Sequence, residues 1–427
     1  MDKFVKLKNV CIRITDGSHY SPIGVEEGFP MLSVKDMREN GFDYSDCKFI
    51  SKADFEDLVR NDCKPLVNDI LIAKDGSYLK HVFVNKNEIE QAVLSSIGIL
   101  RPNLNSIVPQ YLKYYLQTKS VKETVAKKYV SGSALPRIIL KNFGDIDILY
   151  PIISTQQKIA SILSTLDDKI EINNQINDNL EQMAKTLYNY WFVQFDFPNA
   201  EGKSYKSSGG EMVYNEILKR EIPKGWEVKS LESCLKAIID YRGKTPKKLE
   251  SNWSENDSDI IALSAKNVKN GKLVNLQDAN RVDDDLYKIW MKEKLRDGDI
   301  LMTSEAPCGE FFYLVGKTNY CLSQRLFAIR TNSEILKHSL LFYELSCGVG
   351  YSQILGKVSG STVFGIRQDE LRTVNVQVPS LSIQSLFHDF IESIYKKIRN
   401  NDYQNQELSS LRDWLLPMLM NGQVKVK

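Results

Sequence analysis

The chain has 427 residues, with 56 Lys and Arg against 54 Asp and Glu; at +2 it is no polycation, and any nucleic-acid surface must be local. Hydrophobic residues make up 42% and charged ones 26%, beside 23 Gly and 13 Pro, which excludes a disordered or low-complexity chain. The length suits two or three domains, each able to bury a core.

No apolar run reaches the ~18 residues of a membrane span. The N-terminal Met1-Asp2-Lys3-Phe4-Val5-Lys6 lacks an apolar signal segment, so a cytoplasmic protein with no membrane partner is expected. Seven Cys contain no C-x-x-C, and the four His, at 19, 81, 338 and 388, form no ligand pair by spacing, so no metal site is expected.

In chain order, residues 1–150 carry short β-branched runs, such as Asp69 to Ala73 and Ala92 to Leu100, broken by Gly, Asn and Asp. They read as an α/β globule, with Tyr111 to Lys128 as a helical stretch of its core. Pro151 ends the last strand, and residues 151–195 form a long amphipathic helix with Ser154 and Gln157 placed as a capping box. Its apolar seam runs through Ile159, Ile162, Leu166, Ile170, Ile176, Leu180, Met183 and Leu187, with Asn173 and Asn177 in register. Residues 196–222, with Gly209-Gly210, read as a polar linker. Pro223-Lys224-Gly225-Trp226 opens a second globule, 223–379, with its own helical stretch from Ser339 to Leu355. A second long helix, 380–427, repeats the seam with Ile391, Ile394, Ile398, Asn401, Asn405, Leu408, Leu411 and Leu415.

The halves are copies. Leu32-Ser33 answers Leu263-Ser264, Asp69-Ile70-Leu71 answers Asp299-Ile300-Leu301, and Val130-Ser131-Gly132-Ser133 answers Val358-Ser359-Gly360-Ser361. From there the register holds at 228 residues: Pro151 with Pro379, Gln156 with Gln384, Asn177 with Asn405, Leu187 with Leu415. The matched Asn either pair within the seams and set register or lie solvated at their edge. The expected fold is α/β plus long helices: two similar α/β domains in a tandem pseudo-twofold repeat, separated by two long antiparallel coiled-coil-like helices.

Catalytic motifs are missing. No two prolines are adjacent, which excludes the Asn/Asp-Pro-Pro-aromatic turn of an amino-methyltransferase acting on DNA. Gly348-Val349-Gly350 lacks the third glycine of a dinucleotide fingerprint. The Gly-Lys-Ser/Thr triplets at Gly202, Gly243 and Gly316 have Phe197, Ile238 and Phe311 where a P-loop needs Gly. Glu227-Val228-Lys229 has no acidic strand partner before it, and no Gly-x-Ser-x-Gly occurs. Ser131-Gly132-Ser133 and Ser359-Gly360-Ser361 suit a turn or a backbone contact to phosphate. The residues describe a duplicated, non-catalytic binder.

These features resemble the specificity subunit of type I restriction-modification systems over essentially the whole chain. Asp16-Gly17-Ser18-His19-Tyr20-Ser21-Pro22 is similar to a turn of that family's target-recognition domains, and Asp240-Tyr241-Arg242-Gly243-Lys244-Thr245-Pro246 with Thr303-Ser304-Glu305-Ala306-Pro307 to another class of them. The run from Gln156-Gln157-Lys158-Ile159-Ala160 through Leu166-Asp167-Asp168-Lys169-Ile170-Glu171 to Tyr188, Trp191 and Phe192 is the most specific match. The proline before each long helix is single, and Thr155 and Ile383 stand where the family has Glu.

The resemblance implies a non-catalytic subunit that reads a bipartite, asymmetric site in double-stranded DNA, with no cofactor of its own. S-adenosylmethionine would sit on two modification (methyltransferase) subunits, and ATP with Mg on restriction/translocase subunits. Residues 1–150 and 223–379 would be target-recognition domains. Thr155 to Leu187 is about 50 Å of helix at ~1.5 Å per residue, or roughly 15 base pairs at ~3.4 Å each, a ruler between half-sites. Polar loop clusters supply the candidate DNA contacts: Ser18, His19, Tyr20, Lys35, Lys74, Ser77 and Tyr78 in the first globule, and Tyr241, Arg242, Lys244, Lys266, Ser304 and Arg325 in the second. Tyr188, Trp191 and Phe192 either dock a partner or cap the core. A helical adaptor that never touches DNA is the alternative.

Overall fold

The computed structural model describes residues 3–76, 78–131, 136–359 and 364–424. They divide into unit 1, Met1–Ile172 with Gln404–Lys427, and unit 2, Asn173–Tyr403.

Each unit is built around an apolar central strand. In unit 1 this is Ile70–Ala73, buried throughout. Ile70 and Ile72 enter one core with Tyr111 and Leu112, whereas Leu71 and Ala73 enter another with Leu32, Phe83 and Val93. Burial on both faces is why the run is continuously apolar instead of alternating. The strand lies in a four-stranded antiparallel sheet ordered Cys11–Asp16, Ile97–Pro102, Ile70–Ala73, Val82–Val84. A smaller sheet, ordered Lys48–Ile50, Phe29–Leu32, Ala92–Val93, covers one face.

Unit 2 repeats both sheets in the same order, as Leu235–Asp240, Leu326–Thr331, Ile300–Thr303, Phe311–Tyr313 and as Arg281–Val282, Ile260–Leu263, Cys321–Leu322. One buried ion pair is duplicated with them. Asp69 takes a two-pronged contact from Arg101 (2.9 and 2.9 Å), and Asp299 takes the same from Arg330 (2.8 and 2.7 Å). Each Asp also accepts the N–H three residues before it, from Leu66 and from Arg296. The shared fold therefore extends to its buried charges.

The helical stretches come as pairs, Pro109–Gln117 with Lys119–Lys128 and His338–Ser346 with Val349–Lys357. The long helices span Ile153–Tyr188 and Leu381–Met420. The first starts one residue before Ser154, with Thr155 and Gln156 donating their N–H groups to the Ile152 carbonyl, so the expected capping box does not form. Residues 196–222 are no free linker. Met212–Asn215 and Arg220–Pro223 make a hairpin, and Phe197 and Ile222 join the unit 2 core.

In each unit the long helices pack antiparallel. Ile159, Ala160 and Leu163 share the unit 1 core with Leu419 and Met420, while Asp167, further along, meets Arg412. In unit 2, Asn401 donates to Asn177 (2.7 Å), which donates to Asp402 (2.9 Å); Tyr188, further along, packs with Phe387. Asn177 and Asn401 are buried and paired, which is the first of the two readings for these two positions, while Asn405 is half-buried. The buried stripe includes Leu163, Asp167 and Ala184, whereas Met183 and Leu411, expected in the seam, are half-exposed.

Tyr188 and Phe192 are fully buried and Trp191, partly buried, packs against Phe192 and Phe387, so these aromatics serve the unit 2 core, and Tyr188 and Phe192 are not open to a partner. The Tyr188 hydroxyl donates to Glu344 (2.8 Å), a fully buried carboxyl whose Oε2 has no partner. Burial pushes Glu344 up to about 7, against the hydrogen bonds from Tyr188 and Gln377 that favour its ionised form. Between the ordinary Glu value and pH 7 the folded chain then binds more protons than the unfolded one, and stability falls as pH rises. Glu344→Gln, which mimics the protonated side chain, removes this loss. Urea denaturation should show a stability gain over wild type that grows from pH 4.5 to about 7 and is level above it; a gain independent of pH would contradict the assignment.

Candidate nucleic-acid interface

At one end of each four-stranded sheet several loops are tied together by backbone hydrogen bonds. In unit 1, Gly17 N–H bonds to Ile97, Ser95 N–H to Ser18, Lys74 N–H to Ser96, Gly76 N–H to Pro136 and Ile138 N–H to Lys74. In unit 2, Ser304 N–H bonds to Arg325 and Ile366 N–H to Ser304, with Glu305 opposite Gly365. The short helical turns carrying Lys35 and Lys266 join the same ends through Val34 N–H to Ser96 Oγ and Ala265 N–H to Gln324. Both recognition clusters read from the sequence are therefore brought together.

Many of their side chains are already committed. Ser18 is buried, its hydroxyl donating to the Tyr20 carbonyl (2.6 Å) and accepting the Tyr20 N–H. Lys74 is buried against Asp16 at 2.5 Å. Tyr78 packs on the unit 1 core. The Tyr241 hydroxyl accepts the Glu293 N–H (2.7 Å). Arg242 is fixed by both oxygens of Asp240 (2.9 and 2.8 Å) and stacks on Phe327 at 4.1 Å. Lys244 donates to the Trp290 carbonyl (2.7 Å); burial and the neighbouring Lys292 lower its pKa. Ser304 is buried with its hydroxyl unpartnered. For Ser18, Lys74, Tyr241, Arg242 and Lys244 the reason is the same: a polar or charged side chain beside a strand end satisfies a group of the protein itself.

Ser77 lies outside the described residues, as do Gly132, Ser133, Gly360 and Ser361 of the two Ser-Gly-Ser stretches. Their flanks are paired, Ser131 with Arg137 and Ser359 with Gly365.

What the loop ends present outward is a smaller set. The His19 and Lys35 side chains are 77% and 64% exposed, Tyr20 is 66% exposed and Lys266 is exposed. Arg325 is half-exposed beside Glu305 at 3.1 Å. Exposed Arg137 in unit 1 and Phe364 and Arg367 in unit 2 stand at the same ends and were not singled out from the sequence. Their place directly after the duplicated Ser-Gly-Ser was the available signal. In unit 1, Lys74→Met leaves the Asp16 charge without its close partner and should cost about 3 kcal/mol or more in urea denaturation. His19→Ala should leave stability within about 0.5 kcal/mol; equal effects would contradict this division.

No helix among the described residues is long and apolar enough to cross a membrane. A family model described as the type I restriction modification DNA specificity domain matches the chain twice, over residues 3–182 and 223–410. The type I restriction enzyme MjaIX specificity subunit of Methanocaldococcus jannaschii is 29% identical over 76% of this chain and 71% of its own length. The HindI specificity subunit of Haemophilus influenzae is 24% identical over 81% and 84%. The crystal structure of the type I restriction-modification S subunit from M. genitalium superposes with a TM-score of 0.54 at 13% identity, over 98% of this chain and 95% of that one, and so shares the fold. With the domain present twice and the duplicated sheets and helices coinciding with its two copies, the chain belongs to the type I restriction-modification specificity-subunit family.

Proposed function

We propose that this chain reads a bipartite, asymmetric sequence in double-stranded DNA, one half-site at the loop end of each unit, and directs modification and restriction subunits to it. The observation that carries this reading is duplication with divergence: one sheet framework occurs twice, and its equivalent loops carry different outward chemistry. In the equivalent loop after the duplicated Ser-Gly-Ser, unit 1 presents Arg137 outward and unit 2 presents Phe364 and Arg367, while His19 and Tyr20 stand outward only in unit 1. Different donors and acceptors on one framework suit two different half-sites.

The family is non-catalytic and confers DNA specificity on the enzyme complex. In this reading S-adenosylmethionine belongs to two modification subunits, and ATP with Mg to the restriction subunits. With Tyr188 and Phe192 buried, docking falls to outward apolar side chains of the long helices. Met183 and Leu411 occupy equivalent positions 228 residues apart and are both half-exposed, which suits two equivalent partner sites.

Methylome sequencing of cells that express the chain with its modification subunit, compared with cells lacking it, tests this directly. A bipartite methylated motif that disappears with the chain is expected; an assembled complex that produces no motif would leave the adaptor reading. In the assembled complex, Lys266→Ala should weaken binding to all sequences alike and flatten the plot of log K against log salt by about 0.9. Loss confined to the methylated motif would instead make Lys266 a base reader.

A further inference from the structure

The four histidines are spread over 370 residues, yet the fold brings two of them together in unit 2. His388 and Glu392, four residues apart, share one face of the second long helix. His338 opens the helix His338–Ser346. One ligand atom from each of the three lies within 4.8 Å of the others.

Hydrogen bonds orient both imidazoles. The Tyr313 hydroxyl donates to Glu392 Oε1 (2.7 Å) and also contacts His338 Nδ1. A hydroxyl has one proton, so His338 must donate from Nδ1, which leaves the lone pair on Nε2. Ser339 Oγ lies 3.0 Å from Nδ1 of His388 and can accept a proton from it, the tautomer in which the Nε2 lone pair is open as the second ligand. Gly298, at φ +86°, closes the backbone over His338: a Cβ there would lie 2.9 Å from three ring atoms. An imidazole held through one nitrogen by an outer partner, with the other nitrogen open, is how proteins prepare a metal ligand.

We propose that His338, His388 and Glu392 bind a divalent transition metal, zinc by preference, as a structural clamp between the second long helix and the helix His338–Ser346. Two imidazoles and a carboxylate suit that class of ion, and water would complete the coordination. Tetrahedral bonds near 2.1 Å place donors about 3.4 Å apart, so the three close by up to about 1.4 Å on the ion.

The repeat provides an internal control. At the equivalent junction of unit 1, Val84, Pro109, Ala160 and Ser164 stand where unit 2 has Tyr313, His338, His388 and Glu392. That junction closes by apolar packing with Val84 and Ala160 buried, so the framework does not demand the cluster. The site also lies at the far end of Phe311–Tyr313 from the recognition loops, and the ion would take no part in methylation or cleavage chemistry.

The test is titration of the full-length, tag-free chain with Co2+ and with Zn2+, read by cobalt absorption and by calorimetry. One ion per chain with nitrogen and oxygen ligation is expected. Glu392→Gln, which keeps an acceptor for Tyr313, and His388→Ala should each weaken binding more than about 10-fold, and Tyr313→Phe by about 10-fold or more. Circular dichroism of the metal-free proteins verifies that the variants fold, and Zn2+ should raise the thermal midpoint of wild type but not of Glu392→Gln. Absence of binding to folded wild type, binding unchanged in folded variants, or thiolate-to-cobalt charge transfer placing the ion on cysteine would each overturn the proposal.

Discussion

A fully buried glutamine in the first turn of each long helix ties that helix to its globule. Gln156 accepts the Val108 N–H (3.0 Å) and donates to the Pro151 carbonyl (2.8 Å); Gln384 accepts the Lys337 N–H (2.9 Å) and donates to Pro379 (2.8 Å) and Ile335 (3.1 Å). These backbone groups belong to segments that end where the helix pair and the long helix meet, beyond the reach of regular pairing. Each one left buried and unpaired would cost about 1–3 kcal/mol. An amide is required because it donates and accepts at once: leucine would orphan every partner, and a glutamate carboxylate could not donate to the carbonyls. The spacing from Pro151 to Gln156 and from Pro379 to Gln384 is therefore a structural motif, kept through the duplication because both ends of the hydrogen bond lie within it.

Beyond that motif the two units satisfy the same packing problem with different chemistry. In unit 1, buried Asp167 accepts from Lys113 (2.8 Å), the Tyr114 hydroxyl (2.6 Å) and Arg412 (2.8 Å). Burial alone would raise its pKa, but Lys113 and Arg412 with the Tyr114 hydrogen bond hold it below the usual carboxylate range. At the equivalent places unit 2 has Tyr395, Phe342, Tyr343 and, for Arg412, Ala184. An ionic hub and an aromatic hub fill one site. Removing one member of the ionic hub strands a buried charge, whereas replacing the whole hub by well-packed rings is tolerated, so such a change must come as a set. The loop ends show the same substitution of parts: buried Lys74 neutralises Asp16 in unit 1, and Arg242 neutralises Asp240 in unit 2.

The repeat, its register and the apolar central strands were legible in the sequence because each depends on local pattern. The helical seam was less so. Asp167 and Arg412 lie within it as polar residues, and a search for apolar periodicity passes over them to Met183 and Leu411, which face outward. Residues 196–222 look like a linker by composition, yet Phe197 and Ile222 bind the segment to a core whose other members are distant in sequence. The same distance hid the pairing of His338 with His388. For the recognition loops the difficulty was different: a Lys or Arg beside a strand end looks identical whether it faces DNA or a buried aspartate, and Lys74 and Arg242 face aspartates.

That separation between internal and outward charge bears on how the chain holds DNA. Its net charge is +2, and cations near the loop ends are consumed by Asp16, Asp240 and the Trp290 carbonyl. Lys35, Lys266, Arg137, Arg325 and Arg367 are among the cations left outward, divided between the two units. A unit that neutralised two or three phosphates would show a salt-dependence slope near −2 to −3, against the 6–10 contacts of a protein that grips DNA by its backbone. A reader with so small an electrostatic term gains little affinity for random sequence and depends more on base contacts, which favours discrimination over retention. Retention would then fall to other subunits, in keeping with a family that confers DNA specificity on an enzyme complex.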